Sequence, residues 1–237
     1  MNVLAVDVGG TNVKILVSGQ KEPRKFPSGP KLTPERMVSG VKKLAGNWKY
    51  DVVSIGYPGR VVGDRAVTEP RNLAHGWVGF DFAAAFGRPV KVINDAAMQA
   101  LGSYNGGTML FLGLGTGLGS ALMVRGHIVP MELGVLSYGK GTIEDHLGVR
   151  GFRKLGKKKW RKTVELLVAR FTSALLLDDF VIGGGNAKKL KKAPPGCRLG
   201  DNAYAFLGGF RMWEKSGGQQ PSPRPGTRND RKASKGA

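Results

Sequence analysis

The chain has 237 residues, a formal net charge of +20 at pH 7 and a single cysteine, Cys197. This length predicts one large or two small domains, and one cysteine excludes an intramolecular disulfide framework and a cysteine-rich zinc cluster. No run of about 20 apolar residues occurs, and no leader pattern precedes the first predicted strand, so we expect a soluble, cytoplasmic protein. The excess of positive charge predicts a polyanionic ligand.

The first predicted element is a hairpin, VDVGGTNVK at residues 6–14, in which a glycine turn joins two apolar strands. A second such hairpin, FLGLGTGLGSAL, follows at residues 111–122. Glycine allows positive φ and lets an anion approach bare N–H groups. Neither turn fits the P-loop or dinucleotide-binding pattern. We predict two phosphate-binding turns, with two purely structural hairpin turns as the alternative.

Helices and strands alternate between the two hairpins. A polar loop at 19–31 precedes a helix at 34–45 with Thr33 as its N-cap, and a strand at 51–56 ends in the turn GYPG. A short helix at 80–86, a buried strand at 90–93 and a helix at 96–104 follow. This order predicts an open α/β sheet, which places ligands at the carboxyl ends of its strands.

Asp95 is the best candidate for catalysis, because it stands where an apolar strand runs into a helix. A carboxylate at such a cleft-facing position can accept a proton from an attacking alcohol, and the neighbouring Asn94 can orient a hydroxyl group. The alternative for Asp95 is a simple helix N-cap. Asp7, beside the first glycine turn, suggests a Mg²⁺ site.

The second half repeats the order of hairpin first, then helices and strands. A helical stretch begins at Ile143, an amphipathic helix is predicted at 159–175, and a strand at 180–182 runs into GGGNAKKL, a glycine turn expected to open a helix. Residues 201–213 close the ordered part. Two related domains that face a shared cleft are therefore expected, at 1–105 and 106–215, followed by a disordered basic tail at 216–237.

The positive charge is concentrated in two segments. Residues 150–162 contain eight basic side chains and no acidic one, and KKLKK at 188–192 adds four more. Like charges at this density repel one another, so a bound polyanion is as good an explanation as a solvated face. Trp160, inside the first segment, is expected to be a core residue rather than a base-stacking one.

Four segments resemble the motifs of the ROK family (repressors, open reading frames and kinases): VDVGGTNVK, INDAAMQALG, GLGTGLGSAL and VIGGGNAKKL. Within it, the likeness is greatest to bacterial polyphosphate glucokinases and glucomannokinases, which share the order MELG, GKGTIED and VRGFRKLGKKKWRK. The resemblance implies an actin/hexokinase-like α/β fold of two ribonuclease-H-like domains around a central cleft. It also implies a homodimer and Mg²⁺.

The resemblance also implies roles for individual residues. Asp95 is expected to be the general base toward a sugar 6-hydroxyl, and Asp7 to act near Mg²⁺, through water. The expected sugar-contacting residues are Asn72, Asn94, Asp95, Glu132 and Glu144. The expected phosphate-binding residues are Asp7, Gly9, Gly10, Thr11, Lys14, Gly115, Thr116, Gly117 and Gly119. The expected nucleotide-binding residues are Gly183, Gly184, Gly185 and Asn186. The expected polyphosphate track is Lys157, Lys158, Lys159, Arg161, Lys162, Lys188 and Lys189.

Two departures from the family pattern are visible. The cysteine-rich zinc motif of typical ROK kinases is missing, as it is in the polyphosphate branch, so no zinc is expected. Val135 stands where the family usually has a sugar-contacting histidine, which leaves a sugar hydroxyl without that partner.

We therefore expect a hexose kinase that uses polyphosphate, with ATP left open as a second donor. The alternative is a non-catalytic, sugar-responsive regulator or a protein that binds polyanions or nucleic acid. The helix-turn-helix segment of ROK repressors is not seen before the first motif, which favours the kinase.

Overall fold

Two five-stranded sheets with the same strand order form the framework of the computed structural model, which describes residues 1–201 and 203–214. The predicted tail at 216–237 lies outside the described residues. The strands of the first sheet are β1 (Val3–Val8), β2 (Asn12–Val17), β3 (Arg24–Pro27), β4 (Val52–Tyr57) and β7 (Val90–Asn94). Those of the second are β8 (Thr108–Leu114), β9 (Leu118–Val124), β10 (His127–Met131), β11 (Asp179–Gly183) and β12 (Arg198–Leu199).

The two sheets repeat one topology. The first has the order β3-β2-β1-β4-β7 and the second β10-β9-β8-β11-β12. In each, the first three strands in chain order are antiparallel neighbours, and the remaining two join in parallel. Each glycine loop therefore lies in the hairpin between the central strand of its sheet and the next strand, close to the carboxyl ends of the parallel strands.

The face of the first sheet carries α1 (Pro34–Ala45), and α2 (Phe82–Phe86) packs beside it. The side chain of Thr33 accepts a hydrogen bond from the Arg36 amide (3.3 Å), which confirms the predicted N-cap. A small hairpin, β5 (Val61–Val62) and β6 (Arg65–Ala66), follows β4 and was not predicted. All six residues of β1 and of β4 are buried, as expected of strands covered on both faces.

Two helices, α3 (Asp95–Ser103) and α6 (Tyr204–Arg211), pack closely against each other. A Cβ atom on Gly102 would lie 1.8 Å from the Tyr204 carbonyl oxygen, and one on Gly208 would lie 1.8 Å from that of Met98. Only glycine permits this approach. Helix α6 also contacts β1 and β4, so the end of the second half returns to the first sheet. The division at residue 105 stays a prediction.

The basic segment at 150–162 is itself helical. It belongs to α5 (Val149–Leu175), which follows α4 (Ile143–Leu147), so the helix begins ten residues before the predicted start at 159. Gly156 interrupts it with φ 70° and ψ 161°, and the chain changes direction there. Glycine at this position explains why the apolar periodicity predicted only the second arm.

Two further predictions were wrong. The predicted polar loop at 19–31 contains the edge strand β3, because Arg24 to Pro27 pair with β2 despite their exposure. The segment GGGNAKKL does not open an α-helix; it forms a 3₁₀ helix, Ala187–Lys189, that ends at Leu190. The helical segment stays this short because Pro194 and Pro195 follow closely, and proline cannot continue an α-helix.

Candidate functional site

Asp95 is the first residue of α3, and its neighbour Asn94 is the N-cap. The Asn94 Oδ1 atom accepts hydrogen bonds from the amides of Ala96 (3.0 Å) and Ala97 (3.2 Å), and its Nδ2 donates to the Gly59 carbonyl (3.1 Å). The N-cap alternative for Asp95 is therefore wrong. Asp95 Oδ1 accepts from the Ala96 amide (2.8 Å).

The protein around Asp95 favours the neutral form of its carboxyl group. Removal from water raises its pKa from 3.8 to about 7, with a further contribution from the negative charge of Asp7 and a smaller one from Glu132. Bonds from the amides of Ala96 and Asp95 itself act in the opposite direction. A carboxyl group with this pKa can take up and release a proton near neutral pH.

Asp7 lies in β1, just before the first glycine loop, and is nearly buried. Its Oδ2 atom is 3.2 Å from the Lys14 Nζ, across the β1–β2 pair. Asn72 lies against this loop, since a Cβ on Gly10 would come within 3.6 Å of the Asn72 Cβ. The structure thus brings together the predicted residues Asp7, Lys14, Gly10 and Asn72.

The carboxylate of Asp7, beside the first glycine loop, suits Mg²⁺, which prefers oxygen ligands and keeps several waters. The second Asp7 oxygen, Oδ1, has no bonding partner within residues 1–201 and 203–214. Among these same residues, no group of three or more His, Cys, Asp or Glu side chains could hold a metal ion. The residues therefore fit a Mg²⁺ ion that takes most of its ligands from substrate phosphate and water.

The second glycine loop, at 115–117, is close to the start of α3. A Cβ on Gly119 would lie 2.7 Å from the Ala96 Cβ, so β9 packs directly on the first turn of that helix. A Cβ on Gly56 would lie 3.5 Å from the Asp95 Cα, and Gly56 pairs with Asp7 across β1 and β4. Asp95 is thus positioned between elements that carry the two loops.

Glu144 joins the second loop to the first half of the chain. Its Oε2 atom accepts from the Leu118 amide (3.3 Å), and its Oε1 is 2.8 Å from the Arg71 Nη1. Arg150 lies 3.8 Å from the same Oε1. Arg71 was not predicted as a site residue. It directly precedes Asn72, at the place where the matching family segment PNL has proline, and this difference was the available signal.

Glu132 and Val135 belong to a segment that packs on Leu118, the residue just after the second loop, since a Cβ on Gly134 would lie 3.1 Å from the Leu118 carbonyl oxygen. Glu132 is exposed and directly precedes a 3₁₀ helix, Leu133–Val135. Val135 is 62% exposed. A Cβ on Gly134 would lie 3.4 Å from the Glu144 Cβ, so this segment and Glu144 are neighbours. The side chain of Val135, at a position where the family usually has histidine, is thus open to solvent.

The predicted nucleotide-binding segment contacts the second glycine loop. Gly184 has φ 82°, and a Cβ there would lie 2.6 Å from the Leu114 carbonyl oxygen. The Asn186 Nδ2 donates to the Gly115 carbonyl (2.7 Å). Gly183 packs on Phe111, and Gly185 faces open space. Three of the four residues thus have intramolecular partners in or beside β8.

The ROK family model matches residues 3–137, more than half of the chain. This chain belongs to the ROK family. A polyphosphate glucokinase of Mycobacterium tuberculosis is 27% identical over 212 residues, which cover 80% of each sequence. The expected resemblance to this family is confirmed.

Solved structures of other ROK proteins have the same fold. An inorganic polyphosphate/ATP-glucomannokinase from Arthrobacter sp. strain KM superposes with a TM-score of 0.74 at 24% identity, over 87% of this chain and 96% of that one. A ROK hexokinase from Thermus thermophilus gives 0.68 at 20% identity, over 90% and 99%. The expected actin/hexokinase-like fold is confirmed. No helix in the described ranges is long and apolar enough to cross a membrane.

In this ROK chain the two basic segments form one surface. The Arg161 guanidinium in α5 donates from Nε (2.8 Å) and from Nη2 to the Lys189 carbonyl, and the Lys189 Nζ lies 3.9 Å from the centre of the Phe152 ring. Lys157, Lys158, Lys159, Lys162 and Lys188 are exposed. Trp160 is fully buried and its Nε1 donates to the Leu147 carbonyl (2.9 Å), so its predicted core role is confirmed.

Proposed function

We propose that this ROK protein is a sugar kinase that transfers the terminal phosphoryl group of inorganic polyphosphate to the 6-hydroxyl of glucose or a related hexose. ATP is proposed as a second donor. The observation that carries the proposal is the Asp95 carboxyl group, which has a pKa of about 7 and lies between the elements that carry the two glycine loops. The polyphosphate glucokinase relative supports the choice of substrate class.

Asp95 acts as the general base in this proposal. Its carboxylate accepts the proton of the sugar 6-hydroxyl as the hydroxyl oxygen attacks phosphorus. Asn94 contributes less than expected, because its Oδ1 caps α3 and one amide hydrogen is bonded to Gly59. Only its second amide hydrogen is left for a sugar hydroxyl. Glu132, Glu144 and Asn72 provide the remaining polar groups of the proposed hexose site.

The glycine loops hold the phosphoryl groups in this proposal, with Lys14 as a cation near Asp7. A Mg²⁺ ion held by Asp7 through water supplies neutralisation of the phosphate charge. The protein's own contribution is to position the reactants and to orient backbone N–H groups toward the developing charge.

The basic surface on α5 and the Lys188–Lys189 segment favours polyphosphate as the donor. Each phosphate of the polymer carries about one negative charge, so a long donor extends beyond two loops and needs further cations. Exposed lysines suit such a flexible polymer, because they act as mobile point charges. Because Gly183, Gly184 and Asn186 pack on the second loop and on β8, they have less freedom to contact adenosine.

The test is hexose 6-phosphate formation from glucose and mannose with Mg²⁺, with long-chain polyphosphate or ATP as donor, at low and high salt. We expect faster turnover with polyphosphate, steep inhibition by salt and loss of turnover in Asp95→Asn. Absence of turnover with either donor would contradict the kinase proposal and favour a sugar-responsive regulator. The two-domain division, the homodimer and a cytoplasmic location belong to the same proposal, and limited proteolysis and light scattering test the first two.

A further inference from the structure

The carbonyl groups of the second glycine loop are all bonded within the protein. The Asn186 Nδ2 donates to the Gly115 carbonyl (2.7 Å), and its backbone amide donates to the carbonyl of Leu114, the residue just before the loop (2.8 Å). The Val149 amide donates to Thr116 (3.1 Å), and the Gly115 amide donates to Gly117 (3.1 Å). Within the described ranges, the N–H groups of Thr116 and Gly117 have no acceptor.

In the first glycine loop, at 9–11, the carbonyls of Gly9 and Thr11 are bonded within the protein, and Ser28 takes the place of Asn186. The Ser28 hydroxyl donates to the Gly9 carbonyl (2.6 Å), and its backbone amide donates to that of Thr11 (3.0 Å). The Gly9 amide donates to Asn12 (3.1 Å). No acceptor for the N–H groups of Gly10 and Thr11 occurs in the part of the chain that the structure describes.

A bonded carbonyl determines the direction of the next N–H group. The peptide unit is planar and trans, so the C=O of one residue and the N–H of the next point in opposite directions. The bond from Ser28 to the Gly9 carbonyl therefore turns the Gly10 N–H away from Ser28. The bond from Asn186 to the Gly115 carbonyl does the same for the Thr116 N–H.

We propose that Ser28 and Asn186 are positioning residues that orient the N–H groups of the two glycine loops toward the phosphates of the donor. This inference rests on the proposed function, in which both loops bind phosphoryl groups. Without these bonds the glycine peptides rotate freely, because glycine tolerates most backbone conformations. The anion would then have to order the loop as it binds, which lowers affinity.

The experiment measures tripolyphosphate binding by calorimetry in Ser28→Ala and Asn186→Ala. We expect each variant to bind about tenfold more weakly, as the loss of one ordinary hydrogen bond produces. The double variant should bind about a hundredfold more weakly, because substitutions in two different loops should have additive effects on the binding free energy. Ser28→Thr keeps the hydroxyl and should restore binding. In turnover assays the KM for polyphosphate and for ATP should rise together, while glucose affinity stays near that of the wild type.

Matched controls are Ser173→Ala and Asn47→Ala, since both side chains are exposed and remote from the loops in sequence. Equal tripolyphosphate affinity in the wild type and both loop variants would overturn the inference and leave the proposed function intact. So would a loss of glucose affinity as large as the loss of tripolyphosphate affinity, which indicates general destabilisation. If the wild type itself fails to bind tripolyphosphate, the proposed donor chemistry is wrong.

Discussion

Ionised Asp95 should lower the stability of the folded protein, because its surroundings favour the neutral carboxyl group. Its pKa rises from 3.8 to about 7 on folding. At about 1.4 kcal/mol for each pH unit, the ionised group costs the native state up to about 4 kcal/mol above neutral pH. Because the side chain is partly open to solvent, we expect a cost of about 2 to 3 kcal/mol.

The substitution Asp95→Asn removes the charge and keeps the acceptor for the Ala96 amide. Between pH 3.8 and about 7 the native protein retains a proton that the unfolded chain has lost, so wild-type stability falls as pH rises through this range. We expect the variant to be more stable than the wild type by about 2 to 3 kcal/mol at about pH 8. At about pH 5 the gain should be less than half as large. Turnover should be lost at both pH values.

Urea unfolding at the two pH values measures this difference. Asp81→Asn is the matched control, because the Asp81 carboxylate also accepts a backbone amide, from Ala84 (2.9 Å), but is exposed on the surface at the start of α2. It should change stability little at either pH. A gain in Asp95→Asn that is the same at both pH values, or a loss of stability at the higher one, would refute the assignment of a raised pKa to this carboxyl group.

Three other variants test the site and its support. In Arg71→Ala the KM for glucose should fall about threefold, because hexose no longer displaces the guanidinium from Glu144, while stability changes by less than about 0.5 kcal/mol. Changing Lys157, Lys158 and Lys159 to Gln should raise the KM for long-chain polyphosphate about tenfold and leave that for ATP nearly unchanged. Gly102→Ala should cost about 3 kcal/mol or more in urea unfolding, because its Cβ would lie 1.8 Å from the Tyr204 carbonyl oxygen and force α3 and α6 apart.

Each of these substitutions has its own control. Arg65→Ala removes another exposed arginine from the same half of the chain and should leave the KM for glucose unchanged. A higher KM for glucose in Arg71→Ala would contradict the displacement of the Arg71 guanidinium by hexose. The control for the lysine variant changes Lys21, Lys25 and Lys43 to Gln, which removes the same amount of charge elsewhere on the surface. If the substitutions at 157–159 raise the KM for polyphosphate and for ATP equally, the polyphosphate track is contradicted. Gly126→Ala, in open space with positive φ, should cost about 1 kcal/mol.

Patterns within short stretches of sequence predicted those elements that are stabilised by residues close to them in the chain. Helix α1 was predicted with its bounds, because Thr33, Pro34 and the apolar spacing are all local signals. Both glycine hairpins were predicted for the same reason. Edge strand β3 was missed, because its exposed, basic residues pair only when β2 offers an edge.

The site residues divide in the same way. Asp95 was found from its place between a strand and a helix, but the N-cap role belongs to Asn94, and only the backbone angles at the junction decide between the two. Asn186 stays predicted to contact a nucleotide, but the structure adds a bond that was not predicted, from its side-chain amide to the Gly115 carbonyl, 71 residues earlier. No pattern within GGGNAKKL contains that partner.

The sequence by itself determined the ROK membership, the two glycine loops and the acid at the start of α3, because each is encoded in a short run of residues. Only the tertiary structure decided the raised pKa of Asp95, the Arg71–Glu144 ion pair and the bonds that Ser28 and Asn186 make to the loops. Desolvation, ion pairing and hydrogen bonding all depend on distances in space. Residues that are far apart in the chain come this close only when the chain folds.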